Sequence, residues 1–257
     1  GILLLIFVFY NKEQSTKSMS IGEQFHHETS LTWQGTIADM FKTKPKKPPL
    51  YKTYPGAKKI KLFVPDYSGL KLEECIVKRR SVRNYSDKPM SLAQLSQLLF
   101  SAQGTTGTMY GEPLRTAPSA GAWYPYEIYV VVNSVENLEQ GIYHYAVKEH
   151  SLEIVKKGNF GKEIVDAAME QDMFGKADVT FILSAIVDRE RHTFGERSFR
   201  YVYIEAGHIS QNIFLQAVSL GLGSIAVGSF IDDKMNALIN ADGKNEFVVY
   251  LHAVGTL

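Results

Sequence analysis

Lys78-Arg79-Arg80-Ser81-Val82-Arg83 places three arginines and a hydroxyl within five residues. Forked guanidinium groups suit a phosphate dianion, and Ser81 adds a neutral donor. A solvated basic helix end, favourable to the helix dipole, accounts for the same run equally well. A second stretch, residues 115–126, reads RTAPSAGAWYPY. Its small residues Pro118, Ser119, Ala120 and Gly121 let backbone lie against a flat ligand, and glycine opens conformations closed to other residues. An ordinary loop is the plainer reading. The third stretch is GLGSIAVGSF at 221–230. Through Ala226, Val227 and Gly228 it can bring backbone amides against a ring edge. Each signal is weak singly; their order and separation point to one flat, phosphorylated ligand.

Other chemistries find little support. There is no G-x-x-x-x-G-K-[ST], H-E-x-x-H or G-x-S-x-G. Gly221, Gly223 and Gly228 miss the dinucleotide spacing and follow a helix instead of a strand. Glu205-x-x-His208 and Glu23-x-x-His26 match the di-iron carboxylate spacing, but that site needs a four-helix bundle, and the strands below argue against it. His208, in an apolar helix, is expected to be a hydrogen-bonded core histidine and not a ligand. A single cysteine, Cys75, excludes an internal disulfide or a Cys-rich metal site. No metal is expected.

The elements that must position these stretches are legible from periodicity. Ser91 and Gln94 form a capping-box pattern ahead of Leu92, Leu95, Leu98, Leu99 and Ala102, with Gly104 where a C-cap glycine belongs. Strands are expected at 128–132, 142–146, 152–155, 225–227 and 247–254, and helices at 161–170 and 231–239. Residues 179–187 are apolar on both faces and read as a central strand. Residues 199–220 form a long helix, apolar around most of its circumference, which predicts burial on all sides in the core or at a large subunit interface. Gly207 in its interior costs about 1 kcal/mol against alanine; close approach by another element would explain it. The pattern is α+β, with a mixed central sheet flanked by helices, not strict βαβ alternation.

The chain has 257 residues and a net charge of +1, which gives no global pull toward nucleic acid. Residues 42–61 hold eight lysines, four of the nine prolines and no acid. They predict an extended arm. Removing its charge leaves about −7 on the remainder. The arm is expected to lie over an acidic body or neighbouring subunit; a tether to anionic lipid or nucleic acid is the alternative. Residues 1–10, GILLLIFVFY, reach only about 14 Å as a helix, short of the roughly 30 Å bilayer core. They read as a truncated anchor or signal core, as an element packing on a partner subunit, or as added sequence. The organisation is therefore 1–69, apolar segment and arm, followed by a compact domain, 70–257. The expected location is the cytoplasm, with membrane association through residues 1–10 as the alternative.

Taken in order, RRSVRNYSDKPMSLAQLSQLLFSAQG, RTAPSAGAWYPYEIYVVV and RYVYIEAGHISQNIFLQAVSLGLGSIAVGSFID resemble the nitroreductase-like FMN-dependent oxidoreductases, and within them the SagB-type dehydrogenase branch. The resemblance covers about residues 70–255. It implies a homodimer with the long helix at the interface and FMN bound between subunits. It further implies that Arg79, Arg80, Ser81 and Arg83 hold the phosphate and ribityl chain. Pro118, Ser119, Ala120 and Gly121 would line the isoalloxazine, from the other subunit, and Ala226, Val227 and Gly228 would lie near N5. Gln211 is a further flavin contact by the same reasoning. The implied reaction carries electrons from NAD(P)H or an organic donor through FMN to an unidentified small-molecule or peptide acceptor. Residues 109–114 and 173–197 are the stretches expected to select it. Two departures matter. The chain reads Val254-Gly255-Thr256-Leu257 where relatives often carry Val-Gly-Arg. Thr193 and Phe194 stand where azole-forming members carry a Lys-Tyr pair, and neither is an acid or base near neutral pH. That keeps open a non-catalytic flavin-binding subunit of a peptide-modifying complex.

Overall fold

The computed structural model describes residues 19–33, 43, 45–109 and 111–257; the apolar segment 1–10 lies outside them. Seven strands form one sheet in the order β1-β6-β5-β4-β7-β9-β8. They are β1 (Lys59–Lys61), β4 (Tyr126–Val132), β5 (Gly141–Ala146), β6 (Ser151–Lys157), β7 (Val179–Ala185), β8 (Leu222–Val227) and β9 (Phe247–Thr256). A separate exposed hairpin joins β2 (Thr105–Met109) to β3 (Glu112–Arg115). The α+β class is as expected, but all the strand pairings of the large sheet are antiparallel and not mixed. Parallel pairing is confined to isolated bridges, Ser81 with Ser224 and Met90 with Val135.

Strand β7 is central and buried at every position, as its two-sided apolar pattern requires. Alternation along β4 sends Tyr126, Ile128, Val130 and Val132 to one face and Tyr129 and Val131 to the other. The first face is covered by α3 (Leu92–Gln103) and α7 (Ser198–Ser219), through Leu95, Leu99, Val202, Ile209 and Ile213. The second is covered by α4 (Gly161–Ala167), α5 (Met173–Lys176) and α8 (Asp232–Leu238), through Ile164, Phe174 and Met235. Other helices among the described residues are α1 (Ile21–Glu28), α2 (Leu72–Lys78) and α6 (Asp188–Phe194).

The predicted capping box at Ser91 is present, with Gln94 returning the bond to the cap amide at 2.9 Å. Gly104 follows α3, but its φ is −59°, so no left-handed cap is made. Glycine is needed there because a Cβ would sit 2.2 Å from the Phe100 ring.

The lysine-rich arm lies over an acidic body. Lys52 donates its amide to Glu127 (3.1 Å) and its ammonium to Tyr129 (2.7 Å), and it pairs with Glu246. Pro49 accepts from Arg189 Nε at 2.8 Å. Beneath the arm Glu127 pairs with Arg189, and His144 bridges Glu127 (2.8 Å) and Glu153 (3.0 Å). Burial alone would raise the Glu127 carboxyl, but Arg189 and His144 overcome it and hold the group at about 2. The arm also supplies β1, the sheet's edge strand beside β6. Among the described residues no helix is long and apolar enough to cross a membrane.

Candidate functional site

Helix α2 ends at Arg79, whose amide bonds to Cys75 at 2.9 Å. The chain then runs onto the open edge of β8. Ser81 bridges Ser224, and the Val82 amide donates to the Ser224 carbonyl at 2.9 Å. The arginine run is thereby fixed against the glycine-rich strand. Arg79 is half-buried, its guanidinium 5.2 Å from the Phe214 ring of α7; Arg80, Ser81 and Arg83 are exposed. Arg80 donates only to the carbonyls of Val77 and Arg79, at 3.0 and 2.7 Å. Within the described residues none of these three arginines has a carboxylate partner, whereas Arg189 and Arg191 are both paired. Three guanidinium groups within five residues, with a hydroxyl among them, suit a phosphate dianion.

The small-residue stretch is a tight 3-10 turn, Ala120–Ala122. Gly121 has φ +61°, and a Cβ there would come within 2.8 Å of Trp123 and 3.3 Å of Phe194. Conformation and space both require glycine. Ala122 and Tyr124 are left-handed as well, at φ +53° and +45°, an uncommon backbone for residues with a Cβ. Ser119 Oγ accepts from the Tyr124 amide at 2.9 Å. Pro118 and Gly121 are exposed, while Ser119 and Ala120 are half-buried. Helix α6 covers the turn from one side: His192 meets Trp123 edge-on at 4.6 Å, and Phe194 reaches Gly121. Thr193 bonds to His192 Nε2 at 3.0 Å.

In β8, Ala226 and Val227 are half-buried and Gly228 is exposed at the strand's end. Gly223 is fixed by packing within the chain, since a Cβ would lie 2.8 Å from both Val82 and Leu257. Ala226 pairs with His252 of β9. The His252 ring bonds to Ser210 at 2.8 Å and packs on Phe214 at 4.4 Å, and its Nε2 is buried without a partner. Burial pushes this imidazole down to about 3, so it is neutral. Thr256 bonds through its amide to Asp178 (2.7 Å) and through its carbonyl to the Ser86 amide (2.9 Å).

Helix α7 joins the three stretches. Ser119 meets Glu205, the Thr116 carbonyl accepts from Asn212 at 3.4 Å, and Arg79 lies on Phe214. From Glu205 to Phe214 is about 14 Å along the axis. Gln211 falls between them, with its side chain exposed. The helix is not buried on every side within one chain. Tyr203 and Ile204 are 52% and 56% exposed, and Gly207, His208 and Gln211 share that open face. His208 is therefore not the core histidine its surroundings suggested, and it is separated from the buried Glu205 in environment. No group of three or more candidate metal ligands exists among the described residues. Residues 173–197 include the buried strand β7, so only α6 and the turn after it are placed to touch a ligand.

Sequence reasoning missed Phe214 and His252 entirely, and it read Glu205 only as half of a metal motif. A glutamate set in an otherwise apolar helix was the available signal for a buried polar site. Arg115, which opens the second stretch, is buried between Tyr51 and Tyr124 and donates to Gln103 at 3.2 Å.

A Methanocaldococcus jannaschii protein named as a nitroreductase is 39% identical over 196 residues, 76% of this chain and 96% of that one. The trifolitoxin-processing protein TfxB of Rhizobium leguminosarum is 32% identical over 63% of this chain, which spans only 48% of TfxB. A crystal structure from Anabaena variabilis, also named as a nitroreductase, superposes with a TM-score of 0.74 at 27% identity, over 91% of this chain and 46% of that one. Residues 76–256 match the Nitroreductase family, and the chain belongs to that family.

Proposed function

We propose that the protein is an FMN-dependent oxidoreductase working as a homodimer. It would take electrons from NAD(P)H or an organic donor and pass them to a small-molecule or peptide acceptor. The observation that carries this reading is the trio Arg79, Arg80 and Arg83, held against β8 without a single carboxylate partner among the described residues. Bound there, FMN would supply two-electron transfer at its ring. The chain's part is positioning. Arg79, Arg80, Ser81 and Arg83 bind the phosphate and ribityl chain. Pro118, Ser119, Ala120 and Gly121 offer a backbone surface for the flat ring. Ala226, Val227 and Gly228 bring amides to its edge, with Gln211 beside them. The open α7 face supports pairing of two copies, since no atom lies within 4 Å of a Cβ built on Gly207. We place the protein in the cytoplasm.

Anaerobic addition of NADH or NADPH to the yellow purified protein should bleach its flavin absorbance. Colourless protein that takes up no added FMN refutes the reading. A second reading is a non-catalytic subunit of a peptide-modifying complex. Its support is the similarity to a trifolitoxin-processing protein, together with Thr193 and Phe194, which have no acid–base capacity, against the Gly121 turn. Turnover by the isolated protein rejects it.

A further inference from the structure

Glu190 of α6 and Glu205 of α7 are buried, at 0% and 2% exposure. The Ser119 hydroxyl faces both. Neither oxygen of Glu190 has a hydrogen-bond partner of good geometry, and nor does Oε2 of Glu205. Glu205 Oε1 accepts only a 3.4 Å bond from Gln103. Two cations lie near: Arg189 pairs with Glu127, and Arg115 donates to Gln103 between two tyrosine rings, makes no ion pair with either glutamate and keeps its Nε without a partner. The Tyr126 phenol donates to the Val202 carbonyl at 2.7 Å and offers the pair nothing. Two adjoining buried carboxylates with three bare oxygens and no ion pair among the described residues cannot both stay ionised. Burial, and for Glu190 the adjacent Glu205 charge, pushes both up to about 8, although Ser119, and for Glu205 also Arg115, Gln103 and Arg189, offset part of it.

We propose that Glu190 and Glu205 form a proton store for the ligand bound against residues 118–121, with the half-buried Ser119 hydroxyl as the relay. This rests on the reading of that turn as a flavin-lining surface. The Tyr124 amide holds Ser119 Oγ in place and leaves its O–H free to turn between the pair and the surface. In the step itself, a glutamic acid O–H bond breaks and its proton passes to Ser119 Oγ. The serine's own proton passes to the acceptor atom that carries the electron pair left by hydride addition. A bound flavin, reduced by a nicotinamide donor, would supply the hydride, and water returns a proton to the carboxylate. For a quinone acceptor the sum is one hydride and one proton taken up, giving the hydroquinone.

The test has two arms on the full chain as purified. In protein labelled with carboxyl-13C glutamate, NMR should find two side chains still protonated at neutral pH. Glu190→Gln and Glu205→Gln should each remove one. In stopped flow, dithionite-reduced protein is mixed with menadione across a pH series. The wild-type rate should be flat and then fall on the alkaline side. Ser119→Ala, which leaves the buried pair in place, should slow it about 10–100-fold and abolish the alkaline fall. Both glutamates ionised at neutral pH overturns the store, and a wild-type rate and pH profile in Ser119→Ala overturns the relay. Protein that binds no flavin overturns the functional reading and the delivery with it, while the NMR arm still decides whether the store exists.

Discussion

Replacing Glu205 with glutamine should stabilise the protein at neutral pH, although Glu205 is one of its most buried polar residues. In the unfolded chain the carboxyl titrates near 4.5, and in the fold it is held up to about 8, first of all by burial. Between those values the folded protein keeps a proton that the unfolded chain has lost. Unfolding releases it, so stability falls as pH rises through the window. Integrated to pH 7, the wild-type penalty is about 3 kcal/mol. The carboxamide has the same shape and no charge. Its oxygen can keep the Gln103 bond, and its NH2 can donate to Glu190, whose two oxygens are bare. An imperfect donor fit returns about 1 kcal/mol or more of the gain. The expected net stabilisation at pH 7 is about 1–2 kcal/mol, at roughly 2–4 °C in Tm per kcal/mol. The assay is urea or thermal unfolding of both proteins across a pH series. The gain should vanish well below pH 4.5, where both states of the wild type hold the proton, leaving only the cost of the imperfect donor fit. A glutamine variant equally destabilised at every pH, or one whose gain persists in acid, refutes the argument that this carboxyl lacks a partner.

Three other perturbations bear on separate parts of the structure. Arg79→Ala should weaken FMN binding about 10–100-fold by removing charge-assisted bonds, while Phe214 keeps its packing on His252; an unchanged Kd in a fluorescence-quenching titration contradicts the phosphate site. Gly207→Leu should leave monomer folding intact, since the site is open, but weaken self-association measured by sedimentation; an unaltered dimer would place the interface elsewhere. Glu127→Gln should cost about 3–5 kcal/mol in a denaturant melt by stranding the buried Arg189 charge. The wild type should lose the Glu127 contribution as pH falls from 4.5 toward 2, because this carboxyl is held low in the fold.

The elements with strong local signals were readable in advance. Ser91 with Gln94, the two-sided apolar run of β7 and the long α7 helix each state their structure within a few residues. The sheet's antiparallel pairing was not readable, because partner choice depends on contacts dozens of residues apart, such as β7 on β9. His208 was misread for a related reason. Apolar neighbours on a helix imply burial only if something covers that face, and among the described residues of one chain nothing covers Gly207 and His208. The arm's docking could be argued from charge alone, but its partners Glu127 and Glu246 could not be named, since they lie 75 and 194 residues away from Lys52. The Glu190 and Glu205 pair was hidden because neither helix carries the other's charge in its own sequence.

Two features of the single chain are left uncompensated, and they adjoin. Among the described residues the guanidinium of Arg79 has no anion, yet it lies on Phe214 of α7. One turn before Phe214 is Gln211, and one turn before that is Gly207, on the face that nothing covers. An interior glycine weakens a helix by about 1 kcal/mol, and an exposed isoleucine forfeits the gain of burial, so this face is costly to keep in an isolated chain. On the reading proposed above, a second copy packed on α7 buries Ile204 and uses the room beside Gly207. A phosphate held at the arginines neutralises the charge at the same border. Pairing and cofactor binding would then stabilise one another through α7, so that flavin-free protein should dissociate at higher concentrations than flavin-bound protein. Sedimentation of the two forms tests this, and equal dimer affinities would show that the arginine cluster and the helix face act independently.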